Sequence, residues 1–308
     1  MPYRRSLGGI PLPRYEFKYR RPPRRRLRLS RALLALAALL LLAYPFFEAY
    51  HLTVDRHVAA IADLPKNLKN LKIVYVTDIH ESARYPQARV DALVKAINGL
   101  SADLVLFGGD YADTPDGAFA FFQRMPKVYA RLGVYGILGE CDLAQDQSNL
   151  TALVKAMTNA GVLPLVNTVG KVKVGTIYLY VAGSDDYENG HPDLKGLAAQ
   201  VRSDDFVILL AHTPDLLPDA LKAAGSDGDN HWFDLALFGH THGGQVTLFG
   251  LPLLPNFVPD VGRRYLSGWL EENRASLLVS NGVGTSYFPA RLFAPSQIHL
   301  ITLKQKTT

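Results

Sequence analysis

Cysteine is nearly absent from this chain: Cys141 is the only one in 308 residues. No intrachain disulfide can form, so the fold must stand on its buried core, and a hydrophobic content of 48% over this length can supply one. Acidic side chains are scarce at the amino terminus. Residues 1–31 hold eleven basic residues against Glu16, a local charge of +10, which leaves −5 for the rest of a chain whose total is +5. The basic pI describes this tail, so no nucleic-acid partner is expected for the protein as a whole. Internal repeats and low-complexity segments are absent.

Charge of either sign is missing from Ala32 to Phe47, where Leu33 to Leu42 is an unbroken apolar run. These sixteen residues are a little short for a membrane span of about twenty, but Leu29, Ser30 and the Ala49-Tyr50 end extend them, and Tyr44, Phe46 and Tyr50 suit an interface. No small-x-small cleavage site follows, and the Arg24-Arg25-Arg26 run lacks the serine or threonine of a twin-arginine signal, so a retained anchor is expected over 32–50. The basic tail 1–31 then lies in the cytoplasm and the remainder outside, as a single-pass protein of the inner membrane. Residues 51–69 read as a connector, and a folded domain is expected over 70–304.

Within that domain, apolar β-type runs alternate with helical periodicity. Lys72 to Thr77 reads as a strand ending in Asp78-Ile79-His80. Residues 87–98 space Val90, Leu93, Val94 and Ile97 as a helix, and Leu104 to Phe107 runs into Gly108-Gly109-Asp110. A helix is expected around 117–132, then Val134 to Leu138 leading to Gly139-Glu140-Cys141-Asp142, a helix about 149–160, and an alternating region 162–183. Phe206 to Ala211 ends in His212. Leu235 to Phe238 ends in Gly239-His240-Thr241-His242-Gly243-Gly244, whose glycines allow both imidazoles to bend toward one centre. Short β segments follow at 245–248, 276–280 and 297–303. The pattern predicts an α/β fold, sheet on sheet with helices outside, with polar ligands at the carboxyl ends of strands.

Asp78, His80, Asp110, Glu140, His212, His240 and His242 are therefore the candidate metal ligands. Seven carboxylates and imidazoles at strand ends suit two divalent ions better than one, and paired ions stabilise both the attacking and the leaving oxygen of a phosphoryl displacement. Such mixed ligands suit manganese, iron or zinc better than calcium.

The blocks Asp78-x-His80, Gly109-Asp110, Gly139-Glu140-Cys141-Asp142, His212 and Gly239-His240-x-His242, in this order, resemble the calcineurin-like metallophosphoesterases. The Gly-His-Thr-His-Gly-Gly-Gln sequence at 239–245, the apolar amino-terminal segment, and the stretches 281–285 and 289–293 look most like the membrane-anchored branch of that family. The resemblance implies a four-layer αββα metallophosphoesterase sandwich preceded by one transmembrane helix. It also implies that Asp78, His80 and His242 hold one ion, that Glu140, His212 and His240 hold the other, and that Asp110 bridges them. Cys141 and Asp142 fall at catalytic positions. The chain departs from the family at Glu140 and Cys141, where the pattern has asparagine and histidine. Glutamate adds negative charge, which weakens attraction for phosphate and leaves bound water less acidic. A thiol is a poor substitute for an imidazolium beside a leaving group; it could become a thiolate ligand or stay buried and inert.

The expected activity is hydrolysis of a phosphodiester or pyrophosphate bond. Relatives in the branch imply a phosphorylated small molecule or a lipid-linked or nucleotide-sugar substrate, including the UDP-2,3-diacylglucosamine of lipid A synthesis. That substrate is cytoplasmic, whereas the charge pattern puts the domain outside. The alternative is a metal-dependent binding protein that holds a phosphorylated lipid or wall polymer without turnover. The apolar stretch 248–259, close after the histidine pair, is either packed or a lip that meets the membrane.

Overall fold

The computed structural model describes residues 24–306, so positions 1–23 of the expected basic tail lie outside the described residues. The chain divides into two units, Met1–Ala43 and Tyr44–Thr308. In its described part the first is helical: α1 (Arg24–Tyr50) fills it and gives its last residues, from Tyr44, to the second unit. Within α1, Arg31–Tyr50 is long and apolar enough to cross a membrane, and its leucines are exposed.

The second unit is a mixed α/β sandwich. Its elements in chain order are β1 (Thr53–Ile61), β2 (Lys72–Val76), α2 (Gln87–Gly99), β3 (Leu104–Phe107), α3 (Pro115–Arg124), β4 (Val134–Gly136), α4 (Leu150–Asn159), β5 (Leu163–Pro164), β6 (Thr168–Val174), β7 (Ile177–Gly183), α5 (Leu194–Ala198), β8 (Phe206–Leu210), α6 (Leu217–Lys222), β9 (Leu235–Phe238), β10 (Thr247–Leu248), β11 (Leu251–Pro252), β12 (Gly268–Glu272), β13 (Ala275–Val279) and β14 (Gln297–Gln305). One six-stranded sheet has the order β1-β14-β2-β3-β4-β5 and the other β12-β13-β9-β8-β7-β6.

Strand periodicity explains the layering. In β2 and β3, Ile73, Tyr75, Leu104 and Leu106 face the second sheet, while Val74, Val76, Val105 and Phe107 face α2, α3 and α4. The other sheet does the same, with Ile208, Leu210, Leu235 and Leu237 inward and Val207, Leu209, Ala236 and Phe238 under α5 and α6. Both faces of the central strands are buried, which is why they read as continuous apolar runs rather than alternating ones. Each such side chain contributes roughly 1.5–3 kcal/mol by leaving water.

Two expectations are corrected. Residues 51–69 are not simply a connector: β1 pairs in parallel with β14 from Thr53↔Gln297 to Ile61↔Gln305 and forms the sheet edge. Its Asp55, Arg56 and His57 hid the strand, since one face of an edge strand tolerates charge. The helix expected over 117–132 ends at Arg124, because Pro126 disfavours helical geometry at Met125, which is extended (ψ 126°).

Candidate metal centre

Strands β2, β3 and β4 run parallel in one sheet, and β8 and β9 run parallel in the other. The five loops at their carboxyl ends carry all seven candidate ligands. Asp78, His80 and His242 present ligand atoms within 4.8 Å of one another, as do Glu140, His212 and His240. Asp110 joins them: its Oδ2 lies 3.4 Å from His80 Nε2 and 3.6 Å from His212 Nε2. His240 and His242 thus belong to two adjacent groups.

Local backbone strain places these side chains. Asp78, His80, Asp110, His240 and His242 all have positive φ, between 51° and 67°. Aspartate and histidine enter this left-handed region more readily than most residues, and the cost of holding them there is typical of functional loops. Backbone bonds stitch the loops together: Asp78 N donates to Gly109 O (3.0 Å), Ile79 N to Asp110 O (2.8 Å) and Gly239 N to His212 O (2.8 Å). Close approach also dictates the glycines before ligands. A Cβ at Gly239 would collide with Thr77 and Asp78, and one at Gly139 with Asp110 and His212.

Outer hydrogen bonds fix two imidazoles. His212 Nδ1 lies 2.6 Å from the Gly108 carbonyl, which only accepts, so Nδ1 carries hydrogen and Nε2 faces inward. His80 Nδ1 meets Asp113 Oδ1 at 3.1 Å, and Asp113 is itself paired with Arg84. Inside, the polar atoms of the ligands crowd together, and several lack hydrogen-bond partners. His212 Nε2 is 2.8 Å from Glu140 Oε2, yet neither makes a hydrogen bond, and Asp78 Oδ2 and Asp110 Oδ2 are also buried without partners. His80 Nε2 lies 3.1 Å from His242 Nε2. A buried cluster of carboxylate and imidazole donors of this kind fits divalent metal ions.

The charges of the ligands also act on one another. Burial pushes Asp78 up, as does the neighbouring Asp110. Burial alone lowers His212, but the charges of Asp110 and Glu140 hold it well above its usual range. Glu140 is likewise raised by burial but brought well below the usual carboxylate range by His212 and His240. His242 is pushed far down by burial, His80 and the cation of Arg291, and so stays neutral, the form that ligates.

Two expected catalytic positions have definite placements. Asp142 is fully buried, and its Oδ2 accepts from Asp110 N (2.8 Å) and Gly139 N (2.9 Å) while Oδ1 accepts from Tyr111 N (2.9 Å). Its carboxylate braces two ligand loops rather than facing a substrate; burial and Asp110 push its pKa up to about 8. Cys141 lies beside His80 and Asp110, and its backbone N–H donates to Asp110 Oδ1 at 3.0 Å. Burial and the charges of Asp110, Glu140 and Asp142 push the thiol upward, away from a thiolate.

Sequence reasoning missed Asp113 and Arg291. Arg291 is fully buried without a carboxylate, and its guanidinium donates to the carbonyls of Asn281 (2.7 Å), Ala294 (2.9 Å), Gly284 (3.0 Å from Nε) and His242 (3.2 Å). It ties the loop after β13 to the His242 turn. The only signal for Asp113 was an aspartate three positions beyond Asp110.

A mixed α/β sandwich whose strand ends gather histidines and carboxylates in this way is the build of a metal-dependent hydrolase. The chain belongs to the calcineurin-like phosphoesterases: that family's profile matches residues 71–244. It is 27% identical over 274 residues to the uncharacterized metallophosphoesterase YkuE of Bacillus subtilis, covering 84% of this chain and 88% of that protein. An uncharacterized metallophosphoesterase of Aquifex aeolicus is 28% identical, covering 87% of this chain and 98% of its own. The bovine transmembrane protein with metallophosphoesterase domain is 28% identical over 78% of this chain, which spans 54% of that longer protein. Among solved structures, the phosphopantetheinyl hydrolase PptH of Mycobacterium tuberculosis aligns at 11% identity and a TM-score of 0.41, over 71% of this chain and 94% of its own, a likeness too weak to carry functional weight.

Proposed function

We propose that this protein is a membrane-anchored hydrolase of phosphodiester or pyrophosphate bonds that works with two divalent ions. The observation that carries the reading is the pair of ligand groups meeting at Asp110, with four inward-facing polar atoms left without partners. Asp78, His80 and His242 would hold one ion, Glu140, His212 and His240 the other, and Asp110 both. When bound, such ions supply positive charge against the charge that develops in phosphoryl transfer.

The chain's own residues prepare the site. Gly108 O and Asp113 orient His212 and His80, while Asp142 and the Cys141 N–H orient Asp110. Glu140 and His240 keep 22% and 19% of their side-chain surface exposed, whereas the other ligands are buried, so a phosphoryl group approaches from their side. The thiol of Cys141 is too weak an acid to assist a basic leaving group well, so substrates with good leaving groups are favoured.

A lipid-linked or nucleotide-sugar substrate, UDP-2,3-diacylglucosamine among them, fits a phosphoesterase joined to an apolar helix. The side of the membrane decides among these. The second reading, metal-dependent binding of a phosphorylated lipid or wall polymer without turnover, draws on Glu140, whose charge is already balanced by His212 and His240 at 2.8 and 3.0 Å. Manganese-dependent hydrolysis of bis(4-nitrophenyl) phosphate by the purified full chain separates the two. Tight metal binding with no turnover of this ester or of a pyrophosphate ester supports the binding protein and overturns the hydrolase.

A further inference from the structure

Three aromatic side chains stand out by being both exposed and conformationally costly. Phe249 is 92% exposed, Tyr287 67% and Phe293 63%, and all three have positive φ (51°, 60° and 53°). A bulky residue at positive φ is a genuine outlier. Phe249 and Gly250 (φ 76°) form the two-residue turn of the β10–β11 hairpin, a place that asparagine or glycine suits far better. Phenylalanine there costs conformational energy and gains no packing within the domain, which points to a partner outside it.

These residues adjoin one another and the metal centre. Thr247 N donates to Leu292 O and Leu292 N to Gln245 O, each at 2.9 Å, so the base of the hairpin lies beside Phe293. Gln245 also binds Ser286 on both sides of its amide, which brings in the Tyr287 loop. The Tyr287 ring meets Phe257 at 5.8 Å, and Phe257 meets the His242 ring at 5.1 Å. An aromatic path thus runs from the exposed collar to a metal ligand.

The same collar is pinned to the end of the apolar helix. Arg291 N donates to Pro45 O (2.9 Å), and Glu48 accepts from Phe293 N (3.1 Å) and Ala294 N (2.9 Å). Strand register fixes which end of the sandwich this is. Thr53 pairs with Gln297 and His299 with Tyr75, so the chain leaves the helix at the end of the sheet that carries Asp78. We propose that Phe249, Tyr287 and Phe293 form a seat in the lipid bilayer that holds the mouth of the metal centre at the membrane surface. The inference rests on reading α1 as a membrane anchor, and it narrows the substrate to a phosphoester presented at that surface.

The test uses the full chain in vesicles of phosphatidylethanolamine and phosphatidylglycerol with brominated acyl chains. Phe249→Trp and Phe293→Trp each add an indole at an exposed position, and Tyr129→Trp adds one at the opposite end of the strands, before β4. An apolar seat reaches about 5–10 Å into the headgroup and acyl boundary, so at least about half of the emission added at 249 and 293 should be lost to bromine. The indole at 129 should keep its emission. Unquenched emission at 249 and 293, or equal quenching at all three positions, overturns the seat. Hydrolysis of soluble bis(4-nitrophenyl) phosphate by the same samples reports separately on the phosphoesterase reading.

Discussion

Asp142 Oδ2 accepts the backbone N–H of Asp110 and that of Gly139, so one buried carboxylate locks together two loops that carry metal ligands. Asp142→Ala leaves three buried amides without an acceptor, and each unpaired buried group costs about 1–3 kcal/mol. The melting temperature of the full chain in detergent should fall clearly even without added metal. An unchanged melt would show that the loops hold themselves and that Asp142 has some other role.

Asp110 is the residue whose loss should reach both ligand groups, since its Oδ2 faces His80 and His212 at similar distances. Metal analysis of Asp110→Ala should give well under one ion per chain, against about two for the parent. Retention of a single tightly held ion would mean that Asp110 serves one group only.

Asp113 acts one layer out, accepting from His80 Nδ1 while Arg84 holds its other oxygen. Partners of this kind set ring orientation and basicity, and their loss typically weakens metal affinity by about 10- to 100-fold. Asp113→Asn should therefore raise the manganese concentration needed for half-maximal activity by that factor, with the rate at saturating metal little changed. A fall in the saturated rate at unchanged metal requirement would instead place Asp113 nearer the substrate.

The clustering of the seven candidate ligands was legible because each block closes an apolar run, and the strands were legible because both their faces are buried. Asp113 was not, since an isolated aspartate after Gly-Asp-Tyr-Ala fits no strand or helix period. Arg291 was hidden for another reason: a buried arginine satisfied by carbonyls and by His242 Nδ1 (3.3 Å) has no carboxylate partner to reveal it, and it lies 49 positions beyond His242. Strand β1 escaped because its partner among the described residues, β14, is at the far end of the chain. The bracing contacts of Asp142 were not legible, because an aspartate closing a ligand block has the same appearance whether it faces a substrate or its own backbone.

The charge of residues 1–31 makes the orientation of the membrane helix testable. With +10 before the apolar segment, a reporter fused after Thr308 should behave as extracytoplasmic. Alkaline phosphatase activity without green fluorescence is the expected pattern. The reverse pattern would place the metal centre in the cytoplasm and make UDP-2,3-diacylglucosamine accessible to it.

Replacing Cys141 addresses the departure from the family most directly. Its sulfur lies in a group with His80 and Asp110, and burial together with three carboxylates keeps the thiol protonated, so it offers a proton poorly. A positioned acid typically contributes ~10²- to 10⁴-fold when the leaving group is basic. Cys141→His should therefore speed hydrolysis of alkyl phosphodiesters much more than that of bis(4-nitrophenyl) phosphate, because nitrophenolate departs unaided. Adding Glu140→Asn removes a negative charge from between His212 and His240, and should increase the gain by strengthening attraction for phosphate. Metal content must be measured alongside, since Glu140 is also a candidate ligand. If the single and double variants keep their metal and yet slow both classes of ester, the idea that these two residues attenuate the enzyme fails, and glutamate and cysteine are instead the working residues of a variant site.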